Sequence, residues 1–337
     1  MTYDEVQSLA RGRMGFCRSC PVCDGLGCKN TIPGPGSKGT GTVFHRNYEA
    51  WQNVLVNMDT IGSAGKPDTS CELFGEKFDL PVFAAPIGAV QTHYGDLLTE
   101  QEYDEAMTAG CRSAGIAAFT GDGLKDFVFN TGCDAMVKSG FAIPTIKPWH
   151  KDLVLRKIDY AKAHGARMLA MDIDASGLPF LKKMDPPSGP KSVEELKEFI
   201  DYAGVPFIVK GIMTVRGARK ALDAGAAAIV VSNHGGRVLD GTPATAEVLP
   251  EIAGFVGGRM KIFVDGGIRS GLDVFRALGL GADAVLIGRP FVNMVYGAGA
   301  EGVRTYAAKL KAELSDAMEM CGCTTLKDIT SNVIYRR

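Results

Sequence analysis

The hexapeptide Ser-Asn-His-Gly-Gly-Arg at residues 232–237 places an imidazole and a guanidinium three residues apart. It directly follows the apolar run 226–231, whose β-branched residues predict a buried parallel strand. An imidazole exchanges a proton near neutral pH, and an arginine binds a carboxylate through two parallel hydrogen bonds. Together, His234 and Arg237 indicate proton abstraction from a substrate that carries a carboxylate.

The elements that must position these residues form a regular series. From Pro81 onward, short apolar runs alternate with amphipathic segments, and parallel strands need such crossover connections. This order predicts an α/β fold, a closed (β/α)₈ TIM barrel over residues 81–337, preceded by a cysteine-rich arm over residues 1–80. A doubly wound open sheet is the alternative, but no Gly-x-Gly-x-x-Gly follows an early strand. The predicted strands are 81–89, 116–120, 141–146, 167–173, 206–212, 227–232, 261–264 and 284–287; the predicted helices are 100–114, 124–139, 152–164, 193–202, 215–224, 246–255 and 272–280; and the loop 174–190 is a predicted lid.

Composition excludes several classes of function. Lys and Arg (37) balance Asp and Glu (38), which argues against a nucleic-acid binder. No apolar segment approaches the roughly 20 residues that cross a bilayer. Residues 1–14 are polar and do not resemble a signal peptide, so we expect a cytoplasmic protein.

Side chains at the carboxyl ends of the predicted strands are candidate site residues, because these ends face the active site in (β/α)₈ barrels. Asp172, Lys210 and Asp265 interrupt otherwise apolar strands, and a buried charge is costly without a partner. Their convergence with His234 predicts a functional pocket. Glycine-rich turns after the last two strands, 265–267 and 288–289, expose backbone N–H groups that suit a phosphate, although tight turns alone also need glycine.

These motifs together resemble the FMN-dependent 2-hydroxy acid oxidases and dehydrogenases, the family of glycolate and lactate oxidase. The likeness runs over residues 73–335 and rests mainly on segments 209–241, 265–274 and 281–290. It implies FMN as cofactor, oxidation of a small 2-hydroxy acid to the 2-oxo acid, and a homo-oligomer. The electron acceptor stays open between oxygen, a quinone and a protein.

The resemblance also implies roles for individual residues. His234 would take the hydroxyl proton while the α-hydrogen leaves toward flavin N5, and Asp172 would hold its imidazole. Arg237 would bind the substrate carboxylate, and Lys210 would stabilise the reduced flavin. The residues implied to hold FMN are Ala85, Pro86, Ile87, Thr120, Thr145, Lys210, Ser232, Asp265, Gly267, Arg269, Gly288 and Arg289.

The chain departs from the family pattern at several positions. The usual Tyr-Tyr-x-Gly segment is absent from the N-terminal region, and Thr145-Ile146-Lys147 replaces Gln-Leu-Tyr at the third strand. Ala170 stands where the family has a threonine two positions before the strand-four aspartate. Lys147 or Arg18 is therefore a candidate to bind the substrate carboxylate. The missing tyrosines keep a second hypothesis open, an FMN barrel isomerase or dehydrogenase with another substrate, and a third hypothesis is a metal-stapled binding protein without catalysis.

Four cysteines, Cys17, Cys20, Cys23 and Cys28, have the spacing of metal ligands. A structural zinc would staple an arm that is poor in apolar residues, whereas an iron–sulfur cluster would give a reduced flavin an outlet for single electrons. Free or redox-active thiols are the third alternative. The ferredoxin pattern has three residues before its last cysteine and a proline after it, and neither occurs here.

Overall fold

The structure, a computed structural model, describes residues 1–61, 65–178, 181–183, 185 and 188–335. Eight parallel strands close into a barrel, which confirms the predicted TIM barrel, and each predicted apolar run contains one of them. The strands are β3 (Val82–Ala84), β4 (Ala117–Thr120), β5 (Ile143–Ile146), β6 (Leu169–Asp172), β7 (Phe207–Ile212), β8 (Ala228–Val231), β9 (Lys261–Val264) and β10 (Ala284–Ile287), and β10 pairs with β3 to close the ring. A short hairpin, β1 (Cys71–Leu73) and β2 (Glu76–Phe78), precedes the barrel.

Helices follow the strands as predicted, and their starts are set by local capping. Thr99, Ser192 and Ser270 each cap a helix and form capping boxes with the acidic residue three positions on. The first predicted strand, 81–89, is shorter in the structure because Pro86 has no N–H to extend the ladder. The helices are α1 (Tyr3–Ala10), α2 (Thr42–Gln52), α3 (Val90–Tyr94), α4 (Glu100–Ser113), α5 (Asp126–Ser139), α6 (Lys151–Ala163), α7 (Val193–Ala203), α8 (Val215–Asp223), α9 (Thr245–Val256), α10 (Gly271–Gly279) and α11 (Arg289–Met320).

Alternate side chains of each strand point into the barrel, where they form a core separate from the layer beneath the helices. Three phenylalanines, Phe83, Phe119 and Phe263, meet edge to face inside it. At the carboxyl end of the strands the inward positions become polar. The next inward position, two residues on, is Asp172 after Ala170, Lys210 after Ile208 and Asp265 after Phe263. The barrel interior therefore ends in a charged layer.

The N-terminal segment packs directly on the barrel. Val6 of α1 is fully buried against α11, where a side chain at Gly297 would come within 2.3 Å of the Val6 carbonyl oxygen. Trp51 of α2 is also fully buried, and its indole N–H donates to the Gly266 carbonyl at 2.7 Å. The arm thus shares its core with the elements that carry the strand-end turns.

Two further sequence expectations concern this fold. Of the helices in the described part of the chain, none is both long enough and apolar enough to cross a bilayer. The predicted lid, 174–190, forms short 3₁₀ turns at Ile173–Gly177 and Leu181–Lys183, and its residues 179–180, 184 and 186–187 lie outside the described residues.

The phenylalanine cluster makes Phe263 a sensitive position for stability. Phe263→Ala should lower the free energy of unfolding by about 3–5 kcal/mol, because it opens a cavity in the barrel interior. Ile61, which is 95% exposed, supplies the control, and Ile61→Ala should change stability by less than about 0.5 kcal/mol. Urea unfolding followed by circular dichroism measures both, and equal effects would contradict this packing.

Candidate active site

A cavity of about 700 Å³ opens at the carboxyl end of the barrel. This volume lies within the roughly 300–1,000 Å³ range of small-molecule and cofactor sites. One wall is the backbone that follows β3, at Ala85, Pro86 and Ile87, and the arm contributes Ile32, Pro33 and Gly34 on another side. Strand-end residues line the rest: Lys147, Lys210, His234, Arg237, Asp265, Gly267, Arg269, Gly288 and Arg289.

Lys210 is the centre of the charged layer beneath this cavity. Its Nζ lies 3.2 Å from Asp172 Oδ1, 3.6 Å from Asp265 Oδ2 and 3.2 Å from Ser232 Oγ. Lys147 Nζ lies 3.6 Å from the other Asp172 oxygen, so two carboxylates face two ammonium groups. All of these groups are buried, and the mutual pairing offsets the cost of removing each charge from water.

The pairing decides the charge states of these groups. Burial alone would lower the pKa of Lys210, but Asp172 and Asp265 outweigh it and hold the pKa above its usual range. Burial would raise the pKa of Asp172, yet Lys210, His234 and Lys147 together hold it below its usual range. For Asp265 burial prevails over Lys210, and the pKa is raised. Lys210 is therefore a permanent cation that faces the cavity.

The carboxylate that holds His234 is Asp174 rather than Asp172, which corrects the prediction from sequence. His234 Nδ1 lies 3.0 Å from Asp174 Oδ1, and both side chains are largely buried. Asp172 is the last residue of β6 and points inward to Lys210, whereas Asp174 lies in the following 3₁₀ turn and reaches the β8 loop. Because an ionised carboxylate only accepts hydrogen bonds, Nδ1 carries the proton and Nε2 keeps its lone pair. With Asp174 as the partner of His234, the position that corresponds to the family threonine, two residues earlier, is Asp172 and not Ala170.

Three of the predicted flavin-contacting residues do not line the cavity. The prediction for Thr120 is wrong because its side chain faces α5, where a Cβ at Gly132 would come within 2.7 Å of Thr120 Oγ1. Thr145 faces the barrel interior and donates to the Ile143 carbonyl at 3.4 Å. Ser232 Oγ accepts the backbone N–H of His234 at 3.0 Å and so supports the loop that carries His234.

Arg237 lines the cavity and also anchors the arm. Its Nη1 donates to the carbonyl oxygens of Gly34 and Gly36 at 2.7 and 2.8 Å. Burial, together with neighbouring Arg289, lowers the pKa of Arg237 to about 10, so it remains charged at neutral pH. Among the described residues, no acceptor faces its Nε or Nη2, which leaves these donors for a ligand.

His93 is a cavity residue that no sequence motif signalled. Its Nδ1 accepts the backbone N–H of Gly34 at 3.1 Å. Burial, followed by the cations of Arg237 and Lys147, lowers the pKa of His93 to about 3. A neutral imidazole therefore lies beside the two cations that are candidates to bind a carboxylate.

The predicted phosphate arginines bind the arm in this structure. Arg289 donates to the Pro35 carbonyl from Nε at 2.6 Å and lies 3.7 Å from the centre of the Phe44 ring. Arg269 donates to the Cys23 carbonyl from Nε at 2.8 Å. Both side chains still line the cavity, but their hydrogen bonds join the barrel to the arm.

Backbone geometry beside these arginines fits the phosphate of FMN. A side chain at Gly267 would come within 2.2 Å of the Asn47 carbonyl oxygen, so only glycine fits this turn. Within the described residues, the N–H groups of Gly267, Ile268 and Gly288 have no backbone or side-chain acceptor, and Gly288 caps the start of α11. Oriented N–H groups at a helix start bind phosphate. Asp265 Oδ1, buried and also without a hydrogen-bond partner among these residues, marks a further polar contact to be satisfied at the cavity.

The four arm cysteines converge on a second, smaller cavity. Cys17, Cys20, Cys23 and Cys28 all line it, together with Arg18. Arg18 therefore lies at the cysteines, whereas Lys147 lies at the larger cavity. None of these four cysteines forms a disulfide.

Comparison with known proteins identifies the family. The family model for FMN-dependent dehydrogenases matches residues 35–183 and 180–336. Glycolate oxidase 5 of Oryza sativa subsp. japonica is 39% identical over 334 residues, covering 86% of this chain and 86% of the relative. L-lactate oxidase of Lacticaseibacillus rhamnosus (strain LMS2-1) is 32% identical over 323 residues, covering 86% of this chain and 85% of the relative. The chain belongs to the FMN-dependent dehydrogenase family.

Solved structures agree with this assignment. The crystal structure of mandelate oxidase with (S)-2-phenylpropionate superposes with a TM-score of 0.79 at 26% identity, covering 100% of this chain and 98% of that chain. The protein is thus an FMN-dependent oxidoreductase that acts on the CH–OH group of its donor.

The hydrogen bond between His234 and Asp174 yields the first test of the site. An asparagine at position 174 can donate to Nδ1, which moves the ring proton to Nε2 and removes the base. Asp174→Asn should therefore slow substrate-driven flavin bleaching by about 10²-fold or more. Asp172→Asn keeps the tautomer, so its effect should be smaller. Anaerobic stopped-flow absorbance measures both, and a larger loss for Asp172→Asn would contradict the assignment.

Glu100 lies at the edge of the cavity and gives the site a pH dependence. Its carboxylate accepts the backbone N–H groups of Ala89 and Val90, each at 2.8 Å. Burial outweighs these hydrogen bonds and raises the pKa of Glu100 to about 7. The folded protein therefore keeps a proton that the unfolded chain has released between pH 4.5 and about 7.

From this proton difference we expect stability to fall as pH rises. The folded state binds more protons across that window, so the free energy of unfolding should decrease by on the order of 2 kcal/mol between pH 5 and pH 8. Glu100→Gln should flatten this decrease. Urea unfolding of the FMN-free protein at several pH values measures it, and an identical slope in the variant would show that Glu100 is not its source.

Proposed function

We propose that the protein oxidises a small 2-hydroxy acid to the 2-oxo acid at the large cavity. The single observation that carries the proposal is the His234 imidazole, hydrogen-bonded to Asp174, which lines the same cavity as Arg237 and Lys210. The named activities of the relatives support it, since they include glycolate, L-lactate and 4-hydroxymandelate oxidases. The presence of His234, Arg237 and Lys210 also argues against the third hypothesis, a non-catalytic binding protein.

Arg237 and Lys147 bind the substrate carboxylate in this proposal. Arg237 lines the cavity, and its Nη1 is fixed on the arm carbonyls, so the guanidinium is held in one orientation. Lys147 follows the third barrel strand, at the position where the family pattern has a tyrosine. The neutral His93 adjoins this cationic pair and adds no competing charge.

His234 is the general base. Its Nε2 takes the hydroxyl proton of the substrate, and Asp174 stabilises the imidazolium that results. Bound FMN supplies the acceptor for the α-hydrogen at N5. Lys210, held as a cation by Asp172 and Asp265, stabilises negative charge that develops over the charged layer.

Backbone groups of the last two strand-end turns hold the FMN phosphate. Gly267 and Gly288 supply N–H groups, and Arg269 and Arg289 supply positive charge. Ala85, Pro86 and Ile87 form the wall along the flavin ring, which their position in the cavity supports.

Several properties of the whole protein complete the proposal. Residues 1–80 form an arm that packs on a barrel of residues 81–337, and four arm cysteines bind zinc or an iron–sulfur cluster. The protein is cytoplasmic, although one relative, an (S)-2-hydroxyacid oxidase of Arabidopsis thaliana, is named peroxisomal. It assembles as a homo-oligomer, and its electron acceptor is oxygen, a quinone or a protein.

Removal of the base tests the proposed chemistry. His234→Ala should retain the yellow colour of bound FMN but slow its bleaching by a 2-hydroxy acid about 10²–10⁴-fold. A panel of 2-hydroxy acids is added anaerobically, and loss of the visible absorbance of the oxidised flavin is followed. His164→Ala, which changes a histidine stacked on Tyr160 outside the cavity, should bleach at the wild-type rate. Unchanged bleaching in His234→Ala would remove His234 as the base.

A further inference from the structure

The cavity lined by the four arm cysteines, here called the cysteine cavity, has a geometry that distinguishes zinc from an iron–sulfur cluster. The sequence left both of these metal centres open. Of the side chains that the structure describes, groups of three or more metal-ligating residues with ligand atoms within 4.8 Å of one another occur only at Asp172, Asp174 and His234. No three cysteine sulfurs therefore come that close, although all four line one cavity. A tetrahedral zinc with Zn–S bonds of 2.3 Å would hold its sulfurs about 3.8 Å apart.

Among the described residues, no three cysteine sulfurs are as close together as a single zinc ion requires, and a cubane does not require it. In a [4Fe–4S] cluster each thiolate binds a different iron, so the four sulfurs stand farther apart than they do around one ion. All four cysteines line one small cavity, so their thiols are placed to share one centre.

The loop that carries these cysteines is held from several sides. Gln7 of α1 donates to the Cys20 carbonyl at 2.5 Å, and Arg269 donates to the Cys23 carbonyl at 2.8 Å. A side chain at Gly27 would come within 2.8 Å of Cys20 Sγ, so glycine is needed beside that sulfur. Barrel and arm together therefore hold the loop at Cys20 and Cys23, and all four cysteines are half-buried rather than exposed.

The cysteine cavity adjoins the large cavity at the carboxyl end of the barrel, here called the flavin cavity. Arg289 lines both, and its guanidinium donates to the carbonyl of Pro35, a residue of the cysteine cavity. Cys17 Sγ lies 3.4 Å from Asn293 Oδ1, and Asn293 lies one turn after Arg289 on α11. Only the start of α11 and the arm loop separate the two sites.

We propose that Cys17, Cys20, Cys23 and Cys28 bind a [4Fe–4S] cluster that carries electrons away from the reduced flavin. Its electron-transfer role rests on the proposed oxidation of a 2-hydroxy acid. That oxidation releases two electrons and two protons, and both electrons reach the flavin. The cluster takes them one at a time, alternating between its 2+ and 1+ states, and passes each to a one-electron acceptor protein. Each 2-oxo acid formed thus reduces two acceptor molecules and releases two protons.

Metal content tests the cluster independently of catalysis. The full-length protein is purified without oxygen, and iron, acid-labile sulfide and zinc are measured. We expect about four iron and four sulfide per chain, and an electron paramagnetic resonance signal after dithionite reduction. Cys20→Ser should lose iron and this signal, whereas Cys71→Ser, which changes a half-buried cysteine in β1, should keep both. Stoichiometric zinc, or no metal, in the wild-type protein would overturn the proposal.

Electron flow tests the role of the cluster. Mixed anaerobically with the 2-hydroxy acid that bleaches its flavin, the wild-type protein should develop the reduced-cluster signal. Steady-state reduction of cytochrome c, divided by the flavin-bleaching rate of the same preparation, should fall at least tenfold in Cys20→Ser and stay at the wild-type value in Cys71→Ser. A loaded cluster that substrate never reduces, with an unchanged ratio in Cys20→Ser, would overturn the electron-transfer role. Failure of every 2-hydroxy acid to bleach the flavin would instead contradict the proposed oxidation, and it would leave the metal analysis valid.

Discussion

The pairing of Lys210 with Asp172 and Asp265 is the constraint on which the site depends. A cation at the mouth of an apolar barrel is tolerable only when carboxylates offset its desolvation, and the two aspartates come from the neighbouring β6 and from the turn after β9. Lys147 also contacts Asp172, so two lysines and two aspartates meet in this layer. The layer determines what can bind above it, because Lys210 stabilises a ring that gains negative charge.

The arm is part of the active site because three arginines bind it. Arg237, Arg269 and Arg289 donate to carbonyl oxygens at Gly34, Cys23 and Pro35, and each also lines the flavin cavity. Charged donors to backbone carbonyls make strong hydrogen bonds, so the arm and the arginines order each other. A metal centre at the cysteines, as proposed, would therefore adjoin the flavin site through the same arginines.

Much of this organisation could be predicted from the sequence, and the errors have physical causes. The barrel was predictable because its strands are short, apolar and separated by helices with capping boxes. Asp174 was missed because β6 ends in a 3₁₀ turn, which breaks the alternation of side chains and lets the second aspartate reach His234. Thr120 was misplaced by one step of the same alternation, since Phe119 takes the inward position on β4. The carbonyl partners of the arginines lie more than 200 residues away in sequence, where no local pattern reports them.

The central claim is that Nε2 of His234 lies above a carboxylate site formed by Arg237, over bound flavin. The most direct measurement is a crystal structure of the FMN-loaded protein soaked with a 2-oxo acid product. The account predicts the ligand carboxylate on Arg237 and the keto oxygen within hydrogen-bond distance of His234 Nε2, with Asp174 still bound to Nδ1. A product that binds elsewhere in the cavity, or an imidazole turned away from it, would contradict the account.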